Sequence, residues 1–293
     1  MIFDEATLRK LNRLTLVASR VRPGVMKGER RSTKRGATIE FADYRNYTPG
    51  DDIRRLDWNV YARLSRPFVR LFEEEEDLAV HILIDASASM EYGEGDQCKF
   101  DYALKLAAGL GAIALNRGDR LRVALLKSDR AEAVLGPVRG RPQVMQLLRS
   151  LDGRSPDGKT DLDSALRKEA SASHRPGLCV LISDLFSPTG YEAGLGELQS
   201  RGHDVAIIQL LSPPEIEPDL AGDLRLIDVE TGEAQDVTLE ASLRRLYSGR
   251  VREWREGIQA TCHRREVRFL AIVTDRAWDQ VILHELRRSG IAR

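Results

Sequence analysis

Two short apolar runs, each ending in aspartate, constrain this chain more than any other feature. Residues 78–85 read LAVHILID and residues 178–184 read LCVLISD. Apolar runs this short, without strict alternation, indicate strands covered on both faces. Three more follow the same pattern: RLRVALLK at 120–127, DVAIIQLL at 204–211 and VRFLAIVT at 267–274. Helical periodicity fills the intervals at 99–117, 142–151, 161–172, 190–201, 239–262 and 277–289. Strands alternating with helices predict an α/β fold: a doubly wound, mostly parallel sheet with helices on both faces. Two short runs within 222–238, around Glu230-Thr231-Gly232-Glu233, predict a hairpin, so 212–238 reads as an insertion. Such sheets carry their sites beyond the carboxyl ends of the strands. Function is therefore expected just after residues 84, 183 and 274.

The chain before the first strand is different. Leu8, Leu11, Leu14 and Val17 recur at helical spacing within 4–20, and 20–35 is a basic arm containing Gly24 and Gly28. Residues 1–70 hold 16 basic against 8 acidic side chains, and the acidic run Glu73 to Asp77 follows at once. This predicts an accessory segment over 1–77 and a main domain over 78–293. Lys+Arg and Asp+Glu are both 45, so no net field draws the chain to nucleic acid or membrane. The basic arm also lacks interleaved aromatics for base stacking.

No run approaches the roughly 20 apolar residues of a membrane helix. The first residues, MIFDEATLRK, lack the layout of a signal peptide. Cys98, Cys179 and Cys262 are odd in number and form no CxxC pair, which predicts reduced thiols, no zinc site and a cytoplasmic location.

The first aspartate opens Asp85-Ala86-Ser87-Ala88-Ser89-Met90, a D-x-S-x-S pattern; the second is Asp184, and Thr160-Asp161 opens a helix between them. Ser87, Ser89 and Thr160 supply hydroxyls, and Asp85 and Asp184 supply carboxylates. Such a hard, all-oxygen set suits Mg²⁺, with Mn²⁺ or Ca²⁺ as substitutes. If the carboxylates act mainly through water, the cation keeps most of its charge. It can then accept a Glu or Asp from another protein, which describes a binding site and no catalyst. The alternative is that the serines cap the next turn and Asp184 caps a helix.

Gly153 to Thr160 also satisfies G-x-x-x-x-G-K-T, the phosphate-cradling loop of nucleotide-binding enzymes, with Lys159 and Thr160 in the working positions. That loop must leave a strand. Val144, Leu147, Leu148 and Leu151 instead predict a helix before it, and Pro156 stiffens its interior. No Gly-x-Ser-x-Gly motif is present to form a nucleophile elbow.

Residues 40–58 read EFADYRNYTPGDDIRRLDW. With the D-x-S-x-S loop after it, this block resembles a bacterial von Willebrand factor A-like family, domain-of-unknown-function family fifty-eight, from about residue 30 onward. The resemblance implies a von Willebrand A-like fold. It also implies a metal-ion-dependent adhesion site on Asp85, Ser87, Ser89, Thr160 and Asp184. A third implication is an adaptor role beside a MoxR-type AAA+ ATPase. The sequence departs from the family pattern at Lys159, where Gly often precedes the site Thr. Read from its residues, the block is a Pro49-Gly50 turn amid paired charges, with Tyr44, Tyr47 and Trp58 able to pack while exposing polar tips.

Overall fold

The computed structural model describes residues 11, 14–18, 39–48, 51, 53, 56–74, 77–93, 95–172, 174–218, 222–227, 232, 234–239 and 241–293. The basic arm at 20–35, most of the helix expected at 4–20 and most of the 230–233 turn lie outside them. The chain divides into two compact units: Arg22–Asp77, and Met1–Val21 with Leu78–Arg293.

In the smaller unit, β1 (Ile39–Asn46) and β2 (Phe68–Glu74) form an antiparallel pair, and helix α1 (Trp58–Leu64) joins them. Asp57 caps α1, its Oδ1 accepting from Asn59 N at 3.0 Å and Val60 N at 3.2 Å. Thr48 donates through N and Oγ1 to Asp51 Oδ2, closing the turn expected after Tyr47. Trp58 does not pack as expected: it is 64% exposed and meets Tyr61 edge-on.

The larger unit is built on β3 (Ala79–Asp85), β4 (Arg120–Lys127), β5 (Arg130–Arg139), β6 (Leu178–Ser183), β7 (Asp204–Leu211) and β10 (Arg268–Val273). Their order across the sheet is β10-β7-β6-β3-β4-β5. All neighbours are parallel except β4 and β5. The intervening helices are α2 (Lys99–Arg117), α3 (Val144–Leu151), α4 (Leu162–Ser171), α5 (Glu192–Ser200) and α6 (Ala241–Arg264), and a last helical stretch covers Trp278–Arg288. Between β7 and α6, β8 (Gly222–Ile227) and β9 (Ala234–Leu239) form the expected hairpin as a separate antiparallel pair.

Alternation along β3 feeds two cores. Val80, Ile82 and Ile84 pack with α2, α3 and the C-terminal helical stretch, through Leu106, Leu110, Leu147 and Ile282. Leu83 packs on the other face with Leu166 of α4, Leu195 of α5 and Ile258 of α6. Burial on both faces is what the unbroken apolar runs require. Residues near the N-terminus join this unit at its far end: Leu16 bridges Ala292, and Thr15 and Val17 donate to Arg293 O and Ile291 O.

Gly177 lets the chain enter β6 against β3, because a Cβ there would lie 2.0 Å from Ala79 O. Backbone must then move. Gly177→Ala is expected to cost about 1–3 kcal/mol, read as a lower urea midpoint at unchanged slope.

Candidate metal centre

Strands β3 and β6 are paired through Ile84 and Ile182, so Asp85 and the Ser183-Asp184 pair leave the carboxyl edge side by side. Asp85 is buried and fully engaged. Its Oδ1 accepts from Ser87 N at 3.0 Å, and its Oδ2 accepts from Ser183 Oγ at 2.6 Å. Burial, reinforced by the Asp184 charge, pushes its carboxyl up to about 6 against the hydrogen bonds from Ser183 and Ser87.

Ser87 sits at the cap position of the turn Ala88–Glu91 but makes no capping bond with its side chain. Its hydroxyl lies 3.0 Å from that of Ser89. The capping alternative therefore fails for Ser87.

Thr160 reaches the same loop through backbone. Ser128 and Thr160 form a parallel bridge, Asp157 N donates to Ala86 O at 2.9 Å, and Ala88 N donates to Gly158 O at 2.8 Å. Buried Thr160 donates its hydroxyl to Leu126 O at 3.3 Å and leaves its lone pairs open. The structure thus brings Asp85, Ser87, Ser89 and Asp184 to one strand edge and stitches the Thr160 loop to it. Asp161 is used differently: it caps α4 through Ser164 and accepts from Thr189 Oγ1.

Asp184 carries the arrangement that the sequence does not reveal. Its Oδ1 accepts from Phe186 N at 3.0 Å, and its Oδ2 accepts from Lys99 Nζ at 2.7 Å. Lys99 also donates to Glu215 Oε1 at 2.6 Å. Glu215 in turn accepts from Ser212 N and Oγ, capping the one-turn helix Pro213–Ile216. Lys99 has no exposed surface and opens α2. Burial alone would lower its pKa, but Asp184 and Glu215 outweigh burial and raise it. Leu185 adopts a left-handed φ of 66° while its N–H bonds Ser183 Oγ at 2.9 Å, a sparsely populated conformation held by its surroundings.

The donor chemistry fits a divalent cation. Two neighbouring ligands of an octahedral Mg²⁺ with bonds of roughly 2.1 Å lie about 3 Å apart, the separation of the two serine hydroxyls. Both carboxylates already hold protein donors on each oxygen, which suits them to bind through water. Among the described residues no group of three or more His, Cys, Asp or Glu is placed to hold a metal. A set of three hydroxyls and two carboxylates does not need one.

The Gly153 to Thr160 loop leaves helix α3, and no strand precedes it. Its Asp157 amide is consumed by Ala86 O, and Lys159 is exposed. The context of a phosphate-cradling loop is missing.

A doubly wound sheet in this strand order, with an antiparallel edge and a D-x-S-x-S loop at its carboxyl side, is a von Willebrand factor A-like α/β protein. The chain belongs to the family described as protein of unknown function DUF58, whose model matches residues 43–257. An uncharacterised protein of Mycobacterium tuberculosis is 30% identical over 295 residues, covering 99% of this chain and 92% of the relative. Among solved structures, BatB from Bacteroides thetaiotaomicron aligns over 73% of this chain and 98% of its own at 13% identity, with a TM-score of 0.45. An aerotolerance-related membrane protein from Bacteroides fragilis gives the same coverage, 14% identity and a TM-score of 0.46. No described helix of the present chain is long and apolar enough to cross a membrane.

Lys99, Ser183 and Glu215 escaped the sequence reading. Ser183 adjoins a predicted site residue and could have been found. Lys99 lies 85 residues from Asp184 and 116 from Glu215, and no local pattern links them.

Proposed function

We propose that this protein binds other proteins through a divalent cation held by the hydroxyls of Ser87, Ser89 and Thr160. Asp85 and Asp184 orient those groups and the surrounding water. When bound, the cation supplies an electrophilic position for a partner's Glu or Asp carboxylate. The observation that carries this reading is the Ser87–Ser89 hydroxyl pair, 3.0 Å apart on a loop locked by buried Asp85. The role is binding rather than catalysis. Mg²⁺ is the expected ion, and the family resemblance implies a MoxR-type AAA+ ATPase as partner, in protein assembly or remodelling. Neutral overall charge and the absence of a spanning helix among the described residues agree with a protein partner.

Calorimetric titration with Mg²⁺ tests the site. Ser87→Ala and Ser89→Ala are each expected to weaken binding at least tenfold, with circular dichroism unchanged. Asp85→Ala should abolish chelator-sensitive capture of partners. Partner capture by Asp85→Ala equal to the wild type would overturn the reading.

A further inference from the structure

One edge of the main sheet is open, and the proposed function leaves it unused. β10 is the last strand on that side and pairs with β7 alone. Thr274 N donates to Leu211 O, so Thr274 faces β7. The backbone polar groups of successive residues in a strand turn to opposite sides. Ile272 and Leu270 therefore also face β7, and the N–H and C=O groups of Ala271 and Phe269 point away from it. Among the described residues, those outward groups have no hydrogen-bond partner. A row of open backbone groups on an edge strand is a template for a further strand.

Side chains build a groove beside those groups. Phe269 lies on the sheet face that α6 covers, packed against the cluster that holds Ile258 and Cys262, and Ala271 shares that face. A cavity of about 410 Å³ opens between Val267 and Phe269 on one side and Ala260 and His263 of α6 on the other. A second, of about 230 Å³, lies at Phe269 and Ala271 against Val251, Arg252 and Arg255. Both are bordered by Glu256, Gln259 and Phe269, so they follow one another along β10. Alternate side chains of an added strand project to one face about 7 Å apart. Two of them would enter the two cavities in turn.

Charge decides what the second cavity takes. Among the described residues, Arg252 and Arg255 have no ion-pair partner. The Nε of Arg255 is buried and has no hydrogen-bond acceptor. Burial and the neighbouring Arg276 lower the Arg255 pKa, and no carboxylate opposes them. Glu217 and Glu256 also border this cavity, but both are exposed, where water solvates them. The buried N–H donor is the group left in need, and a guanidinium takes a carboxylate in a two-pronged contact. We propose that β10 and α6 form a docking groove for an extended acidic segment of another protein. The segment adds a strand to β10 through the outward groups of Phe269 and Ala271. It sets an apolar side chain in the larger cavity and, two residues away, an Asp or Glu against Arg252 and Arg255.

This contact is independent of the metal centre. Main-chain and guanidinium groups carry it, so it needs no divalent cation and persists in a chelator. The apolar cavity and the guanidinium pair select side chains, and the strand edge supplies affinity without regard to sequence.

A random heptapeptide library displayed on phage is the probe, selected on the full chain in EDTA to silence any metal contact. Enrichment of an apolar residue two positions from an Asp or Glu is expected. The enriched peptide, synthesised with a fluorescent label, should bind saturably and slow amide hydrogen exchange at Phe269 and Ala271. Arg252→Gln with Arg255→Gln should weaken binding at least tenfold with circular dichroism unchanged. Ala271→Pro removes an outward N–H and no bond to β7, a position where an edge strand tolerates proline, and should weaken binding to a similar degree. Arg250→Gln, exposed on α6 outside the groove, should leave it unchanged. No enrichment, binding undiminished in the double arginine variant, or unaltered exchange at Phe269 and Ala271 overturns the proposal. Dimerisation of the chain that Ala271→Pro abolishes would give the edge to a second copy and overturn it as well.

Discussion

Lys99→Met is expected to lower folding stability by about 3–5 kcal/mol, the cost typical of removing one partner from a buried ion pair. The charge is placed against its surroundings. It sits at the first residue of α2, where the helix dipole disfavours a cation, and it has no exposed surface. Asp184 at 2.7 Å and Glu215 at 2.6 Å are what keep it there. Methionine fills the volume and removes the charge. Asp184, 1% exposed, is then left beside Asp85 with no cation. The metal reading adds a second expectation. A divalent cation that binds the folded state stabilises it by RT ln(1 + [L]/Kd). In Lys99→Met the two carboxylates have lost their countercharge, so millimolar Mg²⁺ should restore more stability than it adds to the wild type. Urea unfolding with and without Mg²⁺ measures both effects. Wild-type stability in the variant would show that the triad is not the structural link inferred here. Equal Mg²⁺ stabilisation of both proteins would separate Lys99 from the metal centre.

The parallel core was legible because burial on both faces writes itself as unbroken apolar runs. All five predicted strands of that core appear within a residue or two of their predicted limits. The sixth, β5, was not anticipated. Its sequence, RAEAVLGPVR, carries charge, Gly136 and Pro137, and lacks the unbroken apolar run that marks the other five. It forms because it is an antiparallel edge strand, half exposed, where proline is tolerated. It also follows β4 through a tight turn with Ser128 at a φ of 53°. Strand pairing at an edge depends on the neighbour rather than on local propensity.

The candidate site divides along the same line. Asp85, Ser87, Ser89 and Asp184 were legible because each is tied to a strand end. Thr160 depends on an additional link, the backbone bridge to Ser128, that spacing does not encode. His81 was invisible for the opposite reason. It occupies a core position of an apolar strand, and its partners Arg122, His174 and His203 come from three other segments.

Those partners give the last expectation, a loss of about 3 kcal/mol of stability through His81 as pH falls from 6.5 to 4. Burial first, then His203, lowers the His81 pKa from 6.5 to about 4. At 1.36 kcal/mol for each tenfold change, that difference corresponds to about 3 kcal/mol. The unfolded chain takes up the proton near pH 6.5, whereas the folded chain resists until about pH 4. Within that window the unfolded state holds more protons, so stability rises with pH and is lost on acidification. Above pH 6.5 the ring is neutral in both states and contributes no slope. His203 and His174, also lowered chiefly by burial, add to the loss in the same direction. His81→Gln keeps a donor for Arg175 O but cannot be protonated. Urea unfolding of wild type and variant at pH 7.5, 5.5 and 4.5 isolates the contribution of His81 together with its coupling to His203 and His174, because titrating groups remote from the cluster cancel in the difference. The wild type should lose stability against the variant steadily below pH 6.5, and parallel curves would refute the assignment.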